Sequence, residues 1–599
     1  MKFSKSILLL ILFTIFVFTS SDAQQKRKIQ IEYAGDLVIN EKDYPGATIL
    51  TRDDSQQVHI HHDGVDLWCD RAIHYKKEDF VEAYGNVNIK QGDTINLNST
   101  YIEYSGITKL AFASGDVVLT DPTSTIKSDT LWMDRVKQQS FYRSGGTVVR
   151  DTSGVVTSRR GTYYMELKKY QFTQDVVLTN PDYVIESDQL DYYSESGRAD
   201  LFGPTTITGE ESKIYCERGF YDTENDTGYF LKKARIDYDD RIIEGDSLYF
   251  DRNRNFASAD NNIKITDTIN NAVIKGHHAE VFRDKDSVFI TKRALAITVQ
   301  ENDSLYIHSD TLMVTGKPEN RITRAFYNAK VYKSDLSGKA DSIHVDHKTG
   351  LIELINLSRF ESTDNFSNKR NPILWNVFTQ MTGDSIHLIS NPETEKLDSL
   401  KVFENAFIVS QDTIGDGFHQ MAGKELYGQF EENELRVIDI IKNAESIYYM
   451  RNDEGELVGT DKSKSGLIKI FVKDNTIEEV RKIKGVDGDV FPEGDFPERD
   501  KFLKGYAWRD DERPKSVEDL FKDDPPLNLP IIKGLEDYIP PDDFVDEDLL
   551  KRVEEARKVS NTKKEENKAA RNIPNQRLKQ DLKTDSKPLG RKVKKDNNN

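Results

Sequence analysis

One six-residue pattern returns along this chain at a near-constant interval, and that repeat limits what the chain can fold into. The pattern is a small residue, an acidic residue, any residue, an aliphatic, any residue, then an apolar residue. It stands as Ser128-Asp129-Thr130-Leu131-Trp132-Met133, Ser187-Asp188-Gln189-Leu190-Asp191-Tyr192, Gly245-Asp246-Ser247-Leu248-Tyr249-Phe250 and Ser309-Asp310-Thr311-Leu312-Met313-Val314. Ala340-Asp341-Ser342-Ile343-His344-Val345 and Gly383-Asp384-Ser385-Ile386-His387-Leu388 follow. With weaker copies included, the starts fall at 69, 99, 128, 158, 187, 216, 245, 276, 309 and 340, so the steps run from 29 to 33 residues. Later units, starting at 383 and 423, take longer steps and carry insertions. A period held this long is the signature of a repeat architecture.

A second pattern sits midway between these anchors: a small residue, a polar residue or glycine, then alternating apolar residues. Ala83-Tyr84-Gly85-Asn86-Val87-Asn88-Ile89, Ala113-Ser114-Gly115-Asp116-Val117-Val118-Leu119 and Ala259-Asp260-Asn261-Asn262-Ile263-Lys264-Ile265 show it. Each repeat therefore holds two strand-like halves, separated by turn chemistry such as Asp121-Pro122, Asn180-Pro181 and Ser196-Gly197. Apolar residues alternate with period two, as in Val117/Leu119 and Leu131/Met133, so one face of each strand is buried and the other wet.

A strand pair cannot bury its apolar face alone, so successive units must stack. The sequence predicts an all-β fold: an elongated, solenoid-like stack of antiparallel strands in repeats of about 30 residues, followed by a disordered C-terminal tail. About 24 strands at a spacing near 4.8 Å give a length of roughly 115 Å. Glycine midway along many strands allows a bend from one face of the stack to the other. Cys69 and Cys216 hold the same repeat position five units apart. Even one strand spacing per unit separates them by about 24 Å, so no disulfide is expected between them.

With its stacked two-strand repeats, the small-x-Gly-x-Val element of Ala83–Val87 and Ala113–Val117 and the acidic-x-aliphatic-x-aromatic strand after it, the chain resembles the OstA-like family, named for organic solvent tolerance. That family includes the periplasmic bridge protein of lipopolysaccharide transport and the N-terminal domain of its outer-membrane translocon. The resemblance covers about residues 30–490. It implies an open β-jelly roll, a folded sheet whose apolar trough shields acyl chains. It also implies a periplasmic lipopolysaccharide-binding transport protein rather than an enzyme, found in the periplasm or against the outer membrane. Its partners would be lipopolysaccharide or a related glycolipid and other Lpt-type transport components at both membranes, with no cofactor and no metal. The expected groove lining is Val87, Ile89, Val117, Leu119, Leu131, Met133, Leu190, Leu248, Phe250, Ile263, Ile265, Leu312, Val314, Ile343 and Val345, the inward alternates of the strands. The chain departs from the family in having more repeats than a single bridge domain and a long charged C-terminal extension. Residues 500–599 hold no alternating strands of the kind a membrane barrel needs.

The ends of the chain set the compartment and the boundaries. Lys2 and Lys5, the apolar run from Ile7 to Phe18 and the small residues around Ala23 predict a signal peptide over 1–23, cleaved before Gln24. Residues 24–340 form the regular repeats and 341–490 the longer ones. Leu503, Tyr506 and Trp508 mark 491–525 as a capping segment, and 526–599 as an acidic, proline-containing linker with a basic tail in which Asp546–Val559 is a candidate helix. Net charge is −19, yet residues 551–599 alone carry +9, with 16 Lys/Arg against 7 Asp/Glu, so the remainder carries −28. An acidic body of that size argues against nucleic acid as a partner.

Catalytic and metal signals are weak. His59 and His61 share a strand face, but no third ligand is signalled, and His277-His278 is a similar pair. The carboxylates Asp129, Asp188, Asp246, Asp310, Asp341 and Asp384 recur at one repeat position, which points to turn and edge chemistry rather than to a single acid/base pair. The rival to a lipid conduit is a surface or periplasmic β-solenoid, an adhesin or scaffold with a filled core; a polysaccharide-acting β-helix enzyme is a more distant reading.

Overall fold

The computed structural model describes residues 28–537, apart from 151–153, 239, 270, 300–303, 361–367, 393, 395, 413, 453, 474 and 475, and beyond them Lys551. The expected signal peptide, the basic tail and the candidate helix at 546–559 lie outside the described residues, Lys551 aside. The chain divides into two compact units, Met1–Gly197 with Ile539–Asn599, and Arg198–Tyr538.

The all-β expectation holds: the described residues form 36 strands paired antiparallel with their neighbours. Unit 1 opens with the short strands β1 (Gln30–Tyr33), β2 (Asp36–Val38), β3 (Thr48–Thr51), β4 (Val58–His62), β5 (Val65–Cys69) and β6 (Arg71–Tyr75). Long strands follow: β7 (Phe80–Gln91), β8 (Ile95–Ser105), β9 (Leu110–Thr120) and β10 (Thr125–Asp134). Further on, β11 (Gln139–Tyr142) and β12 (Gly146–Arg150) are one strand cut at its centre, as are β13 (Gly154–Ser158) and β14 (Arg160–Tyr164). Unit 1 ends with β15 (Lys169–Thr179) and β16 (Tyr183–Tyr193). Such cuts are one reason that the strand count exceeds the 24 expected.

Every second long strand turns a corner at its middle. Between β7 and β8 the pairing runs to Tyr84–Tyr101, skips two residues, and resumes at Val87–Ser99. The skipped pair, Gly85 and Asn86, is left-handed, at φ 73° and 42°. Glycine makes this corner at Gly115 too, where a Cβ would lie 1.9 Å from Thr100 Oγ1. In unit 2 Gly203 makes the first corner, and the later ones are built without glycine, from Lys232-Lys233, Asn261-Asn262, Lys292-Arg293, Tyr327-Asn328, Glu404-Asn405 and Lys442-Asn443, all at positive φ. Asparagine tolerates that region because its short amide can bond locally. Here the amide finds the recurrent carboxylate of the neighbouring strand: Asn86 donates to Asp70 at 2.7 Å, Asn262 to Asp246 at 2.8 Å and Asn405 to Asp384 at 3.0 Å. The repeated acidic position is corner chemistry.

Unit 2 continues with β17 (Arg198–Gly209), β18 (Ser212–Asp222), β19 (Thr227–Tyr238), β20 (Arg241–Asp251), β21 (Phe256–Asp267), β22 (Ala272–Phe282), β23 (Ser287–Thr298), β24 (Leu305–Thr315), β25 (Ile322–Lys333) and β26 (Leu336–Asp346). An insertion then splits β27 (Leu351–Ile355) from β28 (Ile373–Asn376), and β29 (Thr379–Thr382) and β30 (Ser385–Ser390) follow. The last strands are β31 (Leu397–Gln411), β32 (Phe418–Glu431), β33 (Glu434–Arg451), β34 (Leu457–Lys473), β35 (Thr476–Ile483) and β36 (Asp487–Pro492).

After β36 the chain turns back over the outer face of unit 2 as a strap. Leu503, Tyr506 and Trp508 pack on Phe407, Val409, Ile447 and Phe418. Two buried glutamines hold its backbone as an edge strand would. Gln420 donates to the Lys501 carbonyl at 2.8 Å and accepts from Leu503 N–H at 2.9 Å. Gln380 does the same with Ala507 and Arg509, at 2.7 and 2.8 Å. Farther along, Lys330 donates to the Leu520 carbonyl and pairs with Asp523, and His308 meets Asp524 at 2.8 Å. Asn261 donates to the Pro530 carbonyl, and Arg218 pairs with Glu536. The strap thus covers strands in reverse chain order. Burying Leu503 and Leu520 stabilises it by about 2 kcal/mol each.

Candidate functional site

A straight strand of eleven residues spans about 36 Å. Glu211 lies in the turn before β18 and Arg283 at the far end of β22, so straight strands would hold them about that far apart. They form an ion pair. The corners have folded each strand double, and the two rows of turns face each other as the rims of a mouth. Arg321, before β25, likewise reaches across to Asp240 at 3.1 Å and to Asp267. Unit 1 repeats the device: Lys109 pairs with Asp63 at 2.6 Å, Arg135 donates to the Asp63 carbonyl at 2.9 Å, and Arg150 donates to the Ser194 carbonyl at 3.0 Å. Ionic and hydrogen-bonded staples therefore cross the mouth in both units.

In unit 2 the mouth opens into a cavity of about 630 Å³. Its wall is apolar: Ile236, Ile243, Phe250, Phe256, Ala257 and Val281. Ile269, 61% exposed, stands at its edge. Charge gathers at the rims, where Arg241, Arg283, Lys317 and Arg321 line the cavity together with Asp240 and Asp286. Arg321 is buried, and its pKa is lowered, chiefly by desolvation and then by the like charge of Arg241. Arg283 lies over the Tyr238 ring, 4.3 Å from its centroid, and so has a seat independent of Glu211. Apolar wall and charged rim are what an amphiphile needs.

The sequence-predicted lining residues divide unevenly around this site. Val87, Ile89, Val117, Leu119, Leu131, Met133 and Leu190 in unit 1 are buried, as are Leu248, Ile263, Ile265, Leu312, Val314, Ile343 and Val345 in unit 2. Ile89 and Met133 flank a narrow apolar void of about 20 Å³ with Ile60, Leu67 and Val81. Phe250 alone of the fifteen is half-buried and stands on the wall of the large cavity. Arg241, Arg283, Lys317 and Arg321 escaped the sequence reading. They sit in the turns between strands or, for Arg241, at the strand end beside one, where charge ordinarily faces water, and only the bent strands bring those turns together.

The histidines have plainer surroundings. His59 and His61 both contact the Asp66 carboxylate at 2.8 Å, and His59 stacks on Trp68. His278 meets Asp260 at 2.8 Å. Among the described residues no cluster of three or more His, Cys, Asp or Glu could hold a metal ion, and no helix is long and apolar enough to cross a membrane. Cys69 and Cys216 are buried free thiols, and burial pushes both up to about 12.

An antiparallel sheet folded double around an apolar interior, built from two-strand repeats, is the class of fold expected of OstA-like proteins. Residues 26–188 match the family model of the OstA-like proteins. Among solved structures, the crystal structure of LptH, "the LptA homologous periplasmic component of the conserved lipopolysaccharide transport device" from Pseudomonas aeruginosa, is similar at 14% identity and a TM-score of 0.13. That similarity covers 22% of this chain and 79% of LptH. No curated protein matches the chain.

Proposed function

We propose that this protein is a periplasmic carrier of lipopolysaccharide or a related glycolipid, which shelters acyl chains inside the doubled sheet and hands them on toward the outer membrane. The observation that carries the reading is the apolar cavity of about 630 Å³ opening between charged rims, in a chain whose segment 26–188 matches the OstA-like family model. An acyl chain crossing water unshielded costs about 0.8 kcal/mol per exposed CH₂. A doubled sheet held shut across its mouth by side chains can part there without losing a strand pairing. The inward alternates from Val87 to Val345 are the surfaces such a chain would slide along, with Phe250 at the present opening. Export by a cleaved signal peptide over 1–23 and docking to other Lpt-type components belong to the same proposal, as does the absence of catalysis.

The burial of fourteen of the fifteen lining residues favours a second reading, a scaffold with a filled core. Photocrosslinking in living cells separates the two. A benzophenone side chain at position 250, with a second at 117, is expected to capture lipopolysaccharide. Adducts with protein neighbours alone, at both positions, would establish the scaffold.

A further inference from the structure

We infer that the mouth of the unit 2 cavity is a binding site for the phosphate headgroup of an acylated amphiphile, which takes the place of Glu211 on Arg283 and draws in Arg241 and Lys317. The inference rests on the carrier reading above and adds the headgroup chemistry and the residues that meet it. Four cations line the cavity against two carboxylates. They differ in how firmly they are held. Arg321 is buried between Asp240 and Asp267, whose side chains are 14% and 9% exposed, so this staple is structural. Glu211 is 58% exposed and can return to water at little cost. Arg283 keeps its seat on Tyr238 when Glu211 leaves. Arg241 and Lys317 make no ion pair among the described residues, and both line the cavity beside Arg283. Asp286 is the remaining charge on the lining and stands against the ligand. Guanidinium groups suit phosphate because they offer paired N–H donors in one plane. The apolar wall below supplies room for the tail. A cavity of this size is in the range that holds a small organic ligand.

The test uses the full-length secreted protein and three probes: monododecyl phosphate, dodecyl maltoside and inorganic phosphate. Calorimetry should show monododecyl phosphate binding about tenfold tighter than the maltoside, a preference that shrinks as salt is raised. Inorganic phosphate alone should bind far more weakly than monododecyl phosphate. In the Arg241→Gln/Lys317→Gln variant the preference should fall to about threefold or less. Glu211→Gln should move it the other way, because it frees Arg283; loss of a merely structural staple would not increase phosphate affinity. Equal binding of the two amphiphiles by the wild type would overturn the headgroup site and leave acyl shelter standing. Binding of neither would overturn both. Inorganic phosphate binding as tightly as the amphiphile would replace the lipid site with a free-anion site. A preference unchanged in the double variant would show that these cations do not make it.

Discussion

Asn262 shows how a corner is held at the level of single residues. Its backbone sits at φ 49°, and its amide donates to Asp246 at 2.8 Å. Alanine there would lose the amide and pay the left-handed penalty of a Cβ, together about 1–2 kcal/mol. Glycine would lose only the amide, so Asn262→Gly should recover about half of the loss. Urea unfolding, with hydrogen exchange followed at the β21–β22 pairing, is the measurement; an equal loss for both variants would mean that the left-handed backbone contributes nothing. The two cysteines make a second residue-scale case. A thiol pushed up to about 12 by burial carries almost no thiolate near neutral pH. A thiol-specific reagent should therefore find none in the native protein at pH 8 and two after denaturation without reductant. An intramolecular disulfide would contradict the stacking register, since Cys69 and Cys216 occupy matching positions in different repeats.

Elements divide into those a period can reveal and those it cannot. Alternation in β9 and β10 was legible because Val117, Leu119, Leu131 and Met133 all point into the buried face. The corners were half legible: Gly85 and Gly115 announce a bend, whereas Lys292-Arg293 at the same repeat position looks like ordinary surface. Leu503, Tyr506 and Trp508 announce a segment that folds back, but the path it takes from there was not legible. Gln380 and Gln420, which bind its backbone, are polar alternates like any other until the returning chain covers them. Acid should loosen this strap. Glu512 is held down to about 2, first by Arg509 and then by Lys339. A carboxyl depressed in the folded state adds stability that is complete above its ordinary pKa, about 4.3, and is lost as pH falls through the folded value. Its side chain is 28% exposed, so solvent screening leaves a contribution of roughly 2 kcal/mol. Hydrogen exchange over 507–513 should accelerate as pH drops from about 4.5 toward 2, after correction for the intrinsic rate, and Glu512→Gln should flatten that dependence. Protection that stays constant down to pH 2 in the wild type would show that the Arg509–Glu512–Lys339 cluster does not hold the strap.

For the molecule as a whole the question is whether its apolar interior serves only folding or also cargo, and Leu248 and Phe250 stand two residues apart on opposite sides of it. Sequence periodicity places both on the inner face of β20, and it cannot rank them, because depth depends on where the strand bends and where the rims meet. Leu248 lies next to the corner, 1% exposed, with its methyl group 3.3 Å from the position of a Cβ on Gly245. Phe250 lies toward the mouth, half-buried on the cavity wall. A carboxylate at 248 would have neither water nor a partner, so Leu248→Asp should destabilise by at least about 3 kcal/mol and deplete the folded protein from cells. At 250 water can reach the new charge through the open cavity. Phe250→Asp should therefore fold, losing about 1–2 kcal/mol of apolar burial. Acyl chains would nonetheless meet an ion they cannot solvate, and that penalty would fall on every molecule carried. Thermal melting of the two purified variants, beside bile-salt sensitivity of cells that express only one of them, reads both effects. The carrier reading expects sensitivity from both, with stable protein in the second case alone. Stable Phe250→Asp protein in cells with normal outer-membrane lipid would take the cavity off the path of the lipid, and with it the main support for transport.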